Sequence, residues 1–248
     1  MSIISLQNVC HQYDDLEVLD QINFDLDNGE FVSIVGPSGC GKSTLLKIIG
    51  GLIKPREGII NVKNSAIDAE LLERRSFGFV FQDPILLPWR TALKNVELPL
   101  EIVGDRNSTT KAKEILSLVG LKEFECFYPP ALSGGMQQRV AIARALVVNP
   151  SILLMDEPFG SLDEFNRDRL NVELLKIWQE TKKSVIFVTH SISEAVLLSN
   201  RVIVLSERPA KVIAIKKIDL SYPRTAELKQ SKEYIDNVLW LRNQLKRE

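Results

Sequence analysis

The sequence predicts an α/β fold built on an open, parallel sheet, and three observations carry that prediction. The first is Gly36 to Thr44, GPSGCGKST, which fits G-x-x-x-x-G-K-[ST]. It lies between a short apolar run, Phe31 to Val35, and a stretch of helical spacing, Lys42 to Ile49. The second is a pair of continuous apolar runs, Ser151 to Met155 and Ser184 to Thr189, of the kind buried on both faces of a parallel sheet. The third is that both runs end in polar residues, Asp156-Glu157 and His190, at strand tips where open α/β sheets bind ligands.

Composition sets outer bounds. The chain of 248 residues is 45% hydrophobic and 25% charged, with a net charge of −1, an ordinary globular profile. Its apolar runs fall well short of the roughly 20 residues of a membrane span. The N-terminus has no charged-then-apolar leader, so a cytoplasmic chain is expected. Cys10, Cys40 and Cys126 form no C-x-x-C pair, which argues against a disulfide framework or a zinc site. Near-neutral charge without long basic runs offers little to nucleic acid.

Along the chain, Ile3 to Val9 and Ile22 to Leu26 read as strands around a turn at Asp14 and Asp15. Tyr13 ends the first, where an aromatic ring can stack on a purine, although a strand-end tyrosine taken alone is more often packing. The phosphate loop follows. Its glycines let successive N–H groups point inward, and the next helix presents its positive end to the same anion. Lys42 then reaches the β- and γ-phosphates, and Ser43 takes one position on Mg²⁺. A chance glycine-rich turn is the competing reading; at ordinary residue frequencies it arises roughly once in a hundred chains of this size.

Gly58 to Val62 and Phe77 to Phe81 are further strands, the latter leading to Gln82. Between Asp83 and Pro150, Pro84, Pro88, Pro99, Pro129 and Pro130 interrupt the chain. Helices are expected at Thr110 to Leu121 and Gly134 to Val148, as an inserted helical subdomain. In the second, Met136, Val140, Ala143 and Val147 share a face, leaving Arg139 and Arg144 on the surface. Ser133, Gly134 and Gly135 open that helix, either as a second anion-receptive terminus or as a simple serine cap.

Asp156 suits a Mg²⁺ shell, and Glu157 suits polarising the water that attacks a γ-phosphate. Asp163 is accounted for as the cap of a helix running to Thr181. His190 is able to donate to a γ-phosphate oxygen. Arg201 to Leu205 and Val212 to Ile215 are late strands. A final helix carries a stripe of Tyr234, Val238, Leu241 and Leu245, widened by Ile235 and Leu239. Cys40, near a helix N-terminus, is expected to be alkylated with loss of activity.

Together these residues resemble the ATP-binding subunit of ABC transporters over essentially the whole chain. Gly36, Pro37, Ser38, Gly39, Cys40, Gly41, Lys42, Ser43 and Thr44 match Walker A, Gln82 the Q-loop, and Leu132 to Gln138 (LSGGMQQ) the signature. Ile152 to Glu157 matches Walker B, Ser161 to Asp163 the D-loop, His190 the switch histidine and Tyr13 the adenine-stacking aromatic. Leu86 to Thr91, Phe159-Gly160 and Val204 to Pro209 look like the nitrate, sulfonate and taurine importers, which more often carry Ala at the position of Ser161.

The resemblance implies a P-loop NTPase core with an N-terminal antiparallel β subdomain and an inserted α-helical subdomain. It implies one ABC ATPase domain over the chain, with the core at about 1–85 and 150–215, the helical subdomain at about 86–149 and a helical extension at about 216–248. It implies ATP and Mg²⁺, the metal held by Ser43, Gln82 and Asp156, and catalysis by Glu157, His190, Gln82 and Lys42. It further implies a head-to-tail homodimer in which Ser133, Gly134, Gly135 and Asp163 reach the partner's nucleotide. The remaining partners are an integral membrane permease and, indirectly, a solute-binding protein, with the chain peripheral on the cytoplasmic face of the membrane. Pro84 to Glu97 is the expected permease groove, while residue type by itself favours Trp89 as local core. A soluble ABC ATPase acting on nucleic acid or the ribosome is the alternative.

Overall fold

A computed structural model of the chain describes residues 2–62, 65–66, 77–160 and 162–246. Two compact units divide it: Met1–Arg74 with Lys182–Glu248, and Arg75–Thr181.

The first unit opens with β1 (Ser2–Tyr13) and β2 (Leu16–Asp27), a long antiparallel hairpin turning at Asp14 and Asp15. Both strands run several residues beyond the alternating segments that signal them, because register shifts let the pairing continue where alternation fails. The strand β3 (Phe31–Val35) is buried at every position and leads into α1 (Lys42–Ile49). Next come β4 (Glu57–Val62), antiparallel to β1, and the short β5 (Ser65–Ala66).

The second unit holds β6 (Phe77–Val80), α2 (Ala92–Ile102), α3 (Ser108–Leu118), α4 (Gly134–Leu146), β7 (Ile152–Asp156) and α5 (Glu164–Thr181). The strands β6 and β7 pair in parallel, Val80 beside Met155. The helix α2 is a departure from expectation, since Pro99 lies inside it and does not end it. Proline forfeits one backbone bond and crowds the carbonyl four residues back. Here the fully buried Val96 and Leu100 hold the helix through that defect, and Thr91 caps it by accepting from the Lys94 amide. Arg139 and Arg144 also depart from the surface role assigned to them. Both are half-buried, and their guanidinium groups donate to backbone carbonyls of Val119, Pro84 and Ile85.

Returning to the first unit, the chain forms β8 (Ser184–Val188), α6 (Ile192–Leu198), β9 (Arg201–Leu205), β10 (Val212–Lys217) and α7 (Lys232–Leu245). The strands β8 and β9 flank β3 in parallel, and β10 closes the edge antiparallel to β9. The final helix buries a narrower stripe than predicted. Tyr234 and Leu241 are buried, whereas Ile235 and Leu239 are 44% and 47% exposed. Among the described residues no helix is long and apolar enough to cross a membrane.

Before α7, Arg224 is 3% exposed and donates to the carbonyls of Val196, Leu197 and Ser199 at 3.0, 3.0 and 2.8 Å. Tyr222 donates its hydroxyl to the Leu198 carbonyl at 3.0 Å, and its ring lies 4.1 Å from the Arg224 guanidinium. The carbonyls that a helix end normally leaves unpaired are thus supplied with donors from these two side chains. Each such carbonyl stripped of its donor inside the fold costs about 1–3 kcal/mol, so Arg224→Ala is expected to destabilise by several kcal/mol.

Burial pushes the Tyr222 phenol up to about 12, against the opposing pull of Arg224. The fold therefore favours the protonated phenol. That contribution is complete below the ordinary phenol value near pH 10 and is lost as the pH rises through about 12. Alkaline denaturation followed by circular dichroism should show a shallower fall in stability above pH ~10 for Tyr222→Phe than for the parent.

Candidate functional site

The phosphate loop owes its shape to what packs beneath it. Gly41 has φ +114°, and a Cβ there would lie 2.7 Å from Cγ1 of the buried Val18 on β2, so a side chain is excluded by backbone conformation and by space. The same residue occupies the cap position of α1 and provides no side-chain acceptor. The helix therefore starts with uncapped N–H groups and its positive dipole end turned to the loop, an arrangement suited to an anion.

Lys42 is 5% exposed and donates to the Gly36 and Pro37 carbonyls at 3.0 and 2.9 Å. An ammonium has three donors, so this grip aims the charge along the loop and leaves one N–H for a phosphate oxygen. Ser38, Gly39 and Ser43 are exposed, and Thr44 is half-buried. Pro37, Ser38, Gly39 and Cys40 line a cavity of about 360 Å³ with Glu207 and Arg208. Cys40 itself is 1% exposed, which overturns the expectation of a reactive thiol, because a buried cysteine is shielded from alkylating reagents.

Two further candidates belong to the same unit. Tyr13 is 45% exposed at the end of β1, with its ring edge-on to His11 at 4.8 Å, so the ring is presented outward and is not packed in the core. His190 is exposed at the end of β8. The buried Thr189 before it donates its hydroxyl to the buried carboxylate of Glu194 and accepts from the Ser191 amide at 2.9 Å. Ser191 in turn caps α6 by accepting from the Glu194 amide.

The second unit gathers Gln82, Asp156 and Glu157. Because β6 and β7 leave their ladder side by side, one chain enters Gln82 as the other enters Asp156-Glu157. Glu157 has φ +44°, a sparsely populated conformation for a residue with a side chain. The turn that follows is closed by the Gly160 amide donating to the Glu157 carbonyl at 3.0 Å, with Pro158 at a position its fixed φ favours. A Cβ added at Gly160 would lie 3.5 Å from both Gln82 Nε2 and Glu157 Oε2, so the two side chains converge on this glycine.

Ser133 is the cap of α4, accepting from the Met136 amide at 3.3 Å, and Gly134 and Gly135 form the first turn. The serine-cap reading is thus realised, and the exposed start of the helix stays open to an anion as well. Asp163 accepts from the Asn166 amide and side chain at 3.0 and 2.6 Å, and these bonds hold its carboxyl below the usual range. Ser161 lies outside the described residues. Trp89, read as core from its residue type, is 71% exposed beside Ile85 at 61%, which corrects that reading.

Sequence reasoning missed the supports. Gln138, 2% exposed, donates to the Phe81 carbonyl at 3.2 Å, and Arg144 donates to Pro84 and Ile85 at 2.8 Å each, so α4 grips the backbone on both sides of Gln82 and Asp83. Asn95, fully buried, donates to the Leu87, Arg90 and Thr91 carbonyls. Gln138 was visible within LSGGMQQ, but backbone carbonyls leave no sequence signal of their donors.

The loop of the first unit by itself suits a polyphosphate, with a helix start that has no side-chain cap and a buried lysine aimed along a glycine loop. Among the described residues no group of three or more His, Cys, Asp and Glu could hold a metal ion. Asp156, at the tip of β7, is the carboxylate whose chemistry fits Mg²⁺, an ion commonly bound through one or two carboxylates plus substrate phosphates.

Residues 19–160 match the family model described as ABC transporter. The chain is 50% identical over 226 residues to an uncharacterised ABC transporter ATP-binding protein of Methanocaldococcus jannaschii, covering 90% of this chain and 84% of the relative. It is 48% identical over 211 residues to the aliphatic sulfonates import ATP-binding protein SsuB of Bacillus thuringiensis, covering 84% and 82%. Among solved structures it is similar to the dimeric bacterial ABC transporter cassette MJ0796, with TM-score 0.77, 40% identity and 88% of this chain and all of that one covered. It also resembles cbiO1 of Clostridium perfringens, part of the ABC transporter complex cbiONQ, with TM-score 0.81, 28% identity and 96% and 95% covered. With a phosphate loop, strand-tip carboxylates and these likenesses, the chain belongs to the ABC transporter family of ATP-binding subunits, and its activity is ATP hydrolysis.

Proposed function

We propose that this ATPase powers an importer of a small anionic or polar solute of the sulfonate, nitrate or taurine type. The likeness to SsuB sulfonate-import subunits is the observation that supports the solute class. The permease is proposed to seat on the segment from Pro84 to Glu97, whose exposed Ile85 and Trp89 offer apolar surface on a backbone held by Arg144 and Asn95. The chain then acts on the cytoplasmic face of the membrane without entering it. Nothing in the comparisons favours the nucleic-acid alternative. Retention of RNA or DNA binding that falls steeply with rising salt would speak for it.

In the proposed reaction, the Gly36–Thr44 loop and Lys42 bind the β- and γ-phosphates while Tyr13 stacks on the adenine. Ser43, Asp156 and Gln82 are the residues proposed to hold Mg²⁺, which when bound neutralises charge on the phosphate oxygens. Glu157 accepts a proton from the attacking water, and the strained turn fixes the direction of its carboxylate. His190 donates to the γ-phosphate. Two copies of the chain face head to tail, so that Ser133, Gly134 and Gly135 of one contact the γ-phosphate held by the other, with Asp163 reaching across. The dimeric form of the related cassette MJ0796 supports this arrangement. Binding closes the pair because the γ-phosphate bridges both halves, and hydrolysis releases it.

Glu157→Gln should lower turnover by about 10²- to 10⁴-fold, keep ATP binding and accumulate a dimer resolved by gel filtration with ATP. Parental turnover would remove Glu157 from the role of base. Ser133→Arg and Gly135→Asp should each stop hydrolysis in a steady-state assay while a fluorescent ATP analogue still binds; near-parental rates in both would refute the shared site. For the physiological role, purification of the tagged chain from native membranes should recover a polytopic permease. The solute class is then read from the ligand of its binding protein.

A further inference from the structure

The turn between β9 and β10, residues 206–211, carries none of the side chains assigned to the nucleotide above, yet it brings an arginine to the phosphate loop. Pro37, Ser38, Gly39 and Cys40 share their cavity of about 360 Å³ with Glu207 and Arg208 of this turn. The approach is close. A Cβ added at Gly36, where the chain leaves β3, would lie 3.1 Å from the Leu205 carbonyl oxygen at the end of β9.

Hydrogen bonds on both sides of Arg208 hold the turn. The Ser206 amide donates to the Lys211 carbonyl at 3.0 Å, and the Lys211 amide donates to the Ser206 hydroxyl at 2.8 Å. The Ala210 amide donates to the Val18 carbonyl and the Asp20 amide to the Ala210 carbonyl, each at 2.9 Å, which ties the turn to β2. Ala210 is fully buried. Val18 also lies beneath Gly41, so the turn and the start of α1 rest on the same residue.

Charge singles out Arg208. Lys211 pairs with Asp20 at 3.0 Å, and Arg201 with Glu30 at 2.8 Å. Arg208 is exposed, and among the described residues its side chain makes no ion pair or hydrogen bond. A guanidinium presents five donors in a planar fork that matches the oxygens of a phosphate. The flank it occupies is also defined. The strands β8 and β9 lie on opposite sides of β3, so Arg208 stands across the loop from His190 at the end of β8. The β9 side is that of the hairpin carrying Tyr13, whose second strand holds Ala210.

We propose that Arg208 is a further nucleotide-binding residue and that it contacts the phosphates retained in ADP. The placement rests on the readings of His190 at the γ-phosphate and Tyr13 at the adenine. A contact made equally with substrate and transition state raises KM when it is lost and leaves kcat in place.

The test is isothermal titration of the full-length chain with ATP and with ADP, beside steady-state kinetics. Arg208→Ala is expected to weaken both nucleotides about ten-fold and to raise KM for ATP in proportion, with kcat at saturating ATP changed less than about two-fold. The gap in affinity should narrow as salt rises, since an exposed ion pair is screened. Thermal melting without nucleotide should match the parent, and a lowered midpoint would make the loss structural and overturn the proposal. Parental ADP affinity in Arg208→Ala overturns it too. With ATP alone weakened, the contact would be to the γ-phosphate; with turnover needing more protein, it would be to a second copy of the chain. Tyr13→Ala separates this inference from the reading beneath it. Parental ADP affinity in Tyr13→Ala makes the flank assignment fail and this inference with it, whereas a loss there and none in Arg208→Ala removes Arg208 alone.

Discussion

A helix that begins without a cap is the constraint on which the nucleotide site depends. Gly41 stands where serine, threonine or aspartate would ordinarily satisfy the first turn of α1, and Val18 beneath it leaves no room for a side chain. A helix start without a side-chain cap is a place that an anion can fill. Everything beneath the loop serves to hold it in position. The strand β3 is buried along its full length, flanked by β8 and β9, and secured at Phe31 by the Asn200 side chain and backbone. Lys42 adds a buried charge restrained by two carbonyls.

A second constraint lies at Glu157. A left-handed conformation for a glutamate costs energy that a free chain would relax, and it persists only where the surroundings determine it. Those surroundings are the buried Pro158 and Phe159, the bond closing the turn at Gly160, and Arg167, which donates to the Leu162 carbonyl at 2.8 Å just beyond. The backbone on either side of Gln82, just beyond the neighbouring strand, is held likewise by donors from α4 to the carbonyls of Phe81, Pro84 and Ile85. Of the side chains proposed to do chemistry, Gln82, Glu157 and His190 are exposed or half-buried and Lys42 is buried, while the side chains that hold the backbone around them donate to main-chain carbonyls.

The same division explains the charged groups in the interior. Buried arginine and glutamine are costly unless every donor finds an acceptor. Arg224, Arg144 and Gln138 each spend their donors on backbone carbonyls at the ends of strands, loops or helices, where regular structure leaves acceptors over. They connect segments distant in sequence: Arg144 and Pro84 are 60 residues apart, and Arg224 and Val196 are 28.

Much of this was legible in the sequence because it depends on near neighbours. The phosphate loop is a contiguous pattern, the strands β3, β7 and β8 are unbroken apolar runs because both their faces are buried, and Ser133 and Asp163 accept from amides three residues away. Motif order along the chain was sufficient to indicate the family. What the sequence left open, or led astray, depends on contacts between distant parts. Pro99 sits inside a helix because buried neighbours outweigh one lost bond, and Trp89 is exposed although its side chain is apolar. Cys40 is shielded by its own loop, and Ile235 and Leu239 turn outward although their spacing fits the buried stripe. The donors that pin α6 and the backbone around Gln82 bind main-chain oxygens, which every residue carries alike, so no residue pattern marks their partners; only the folded chain selects which carbonyl meets which side chain.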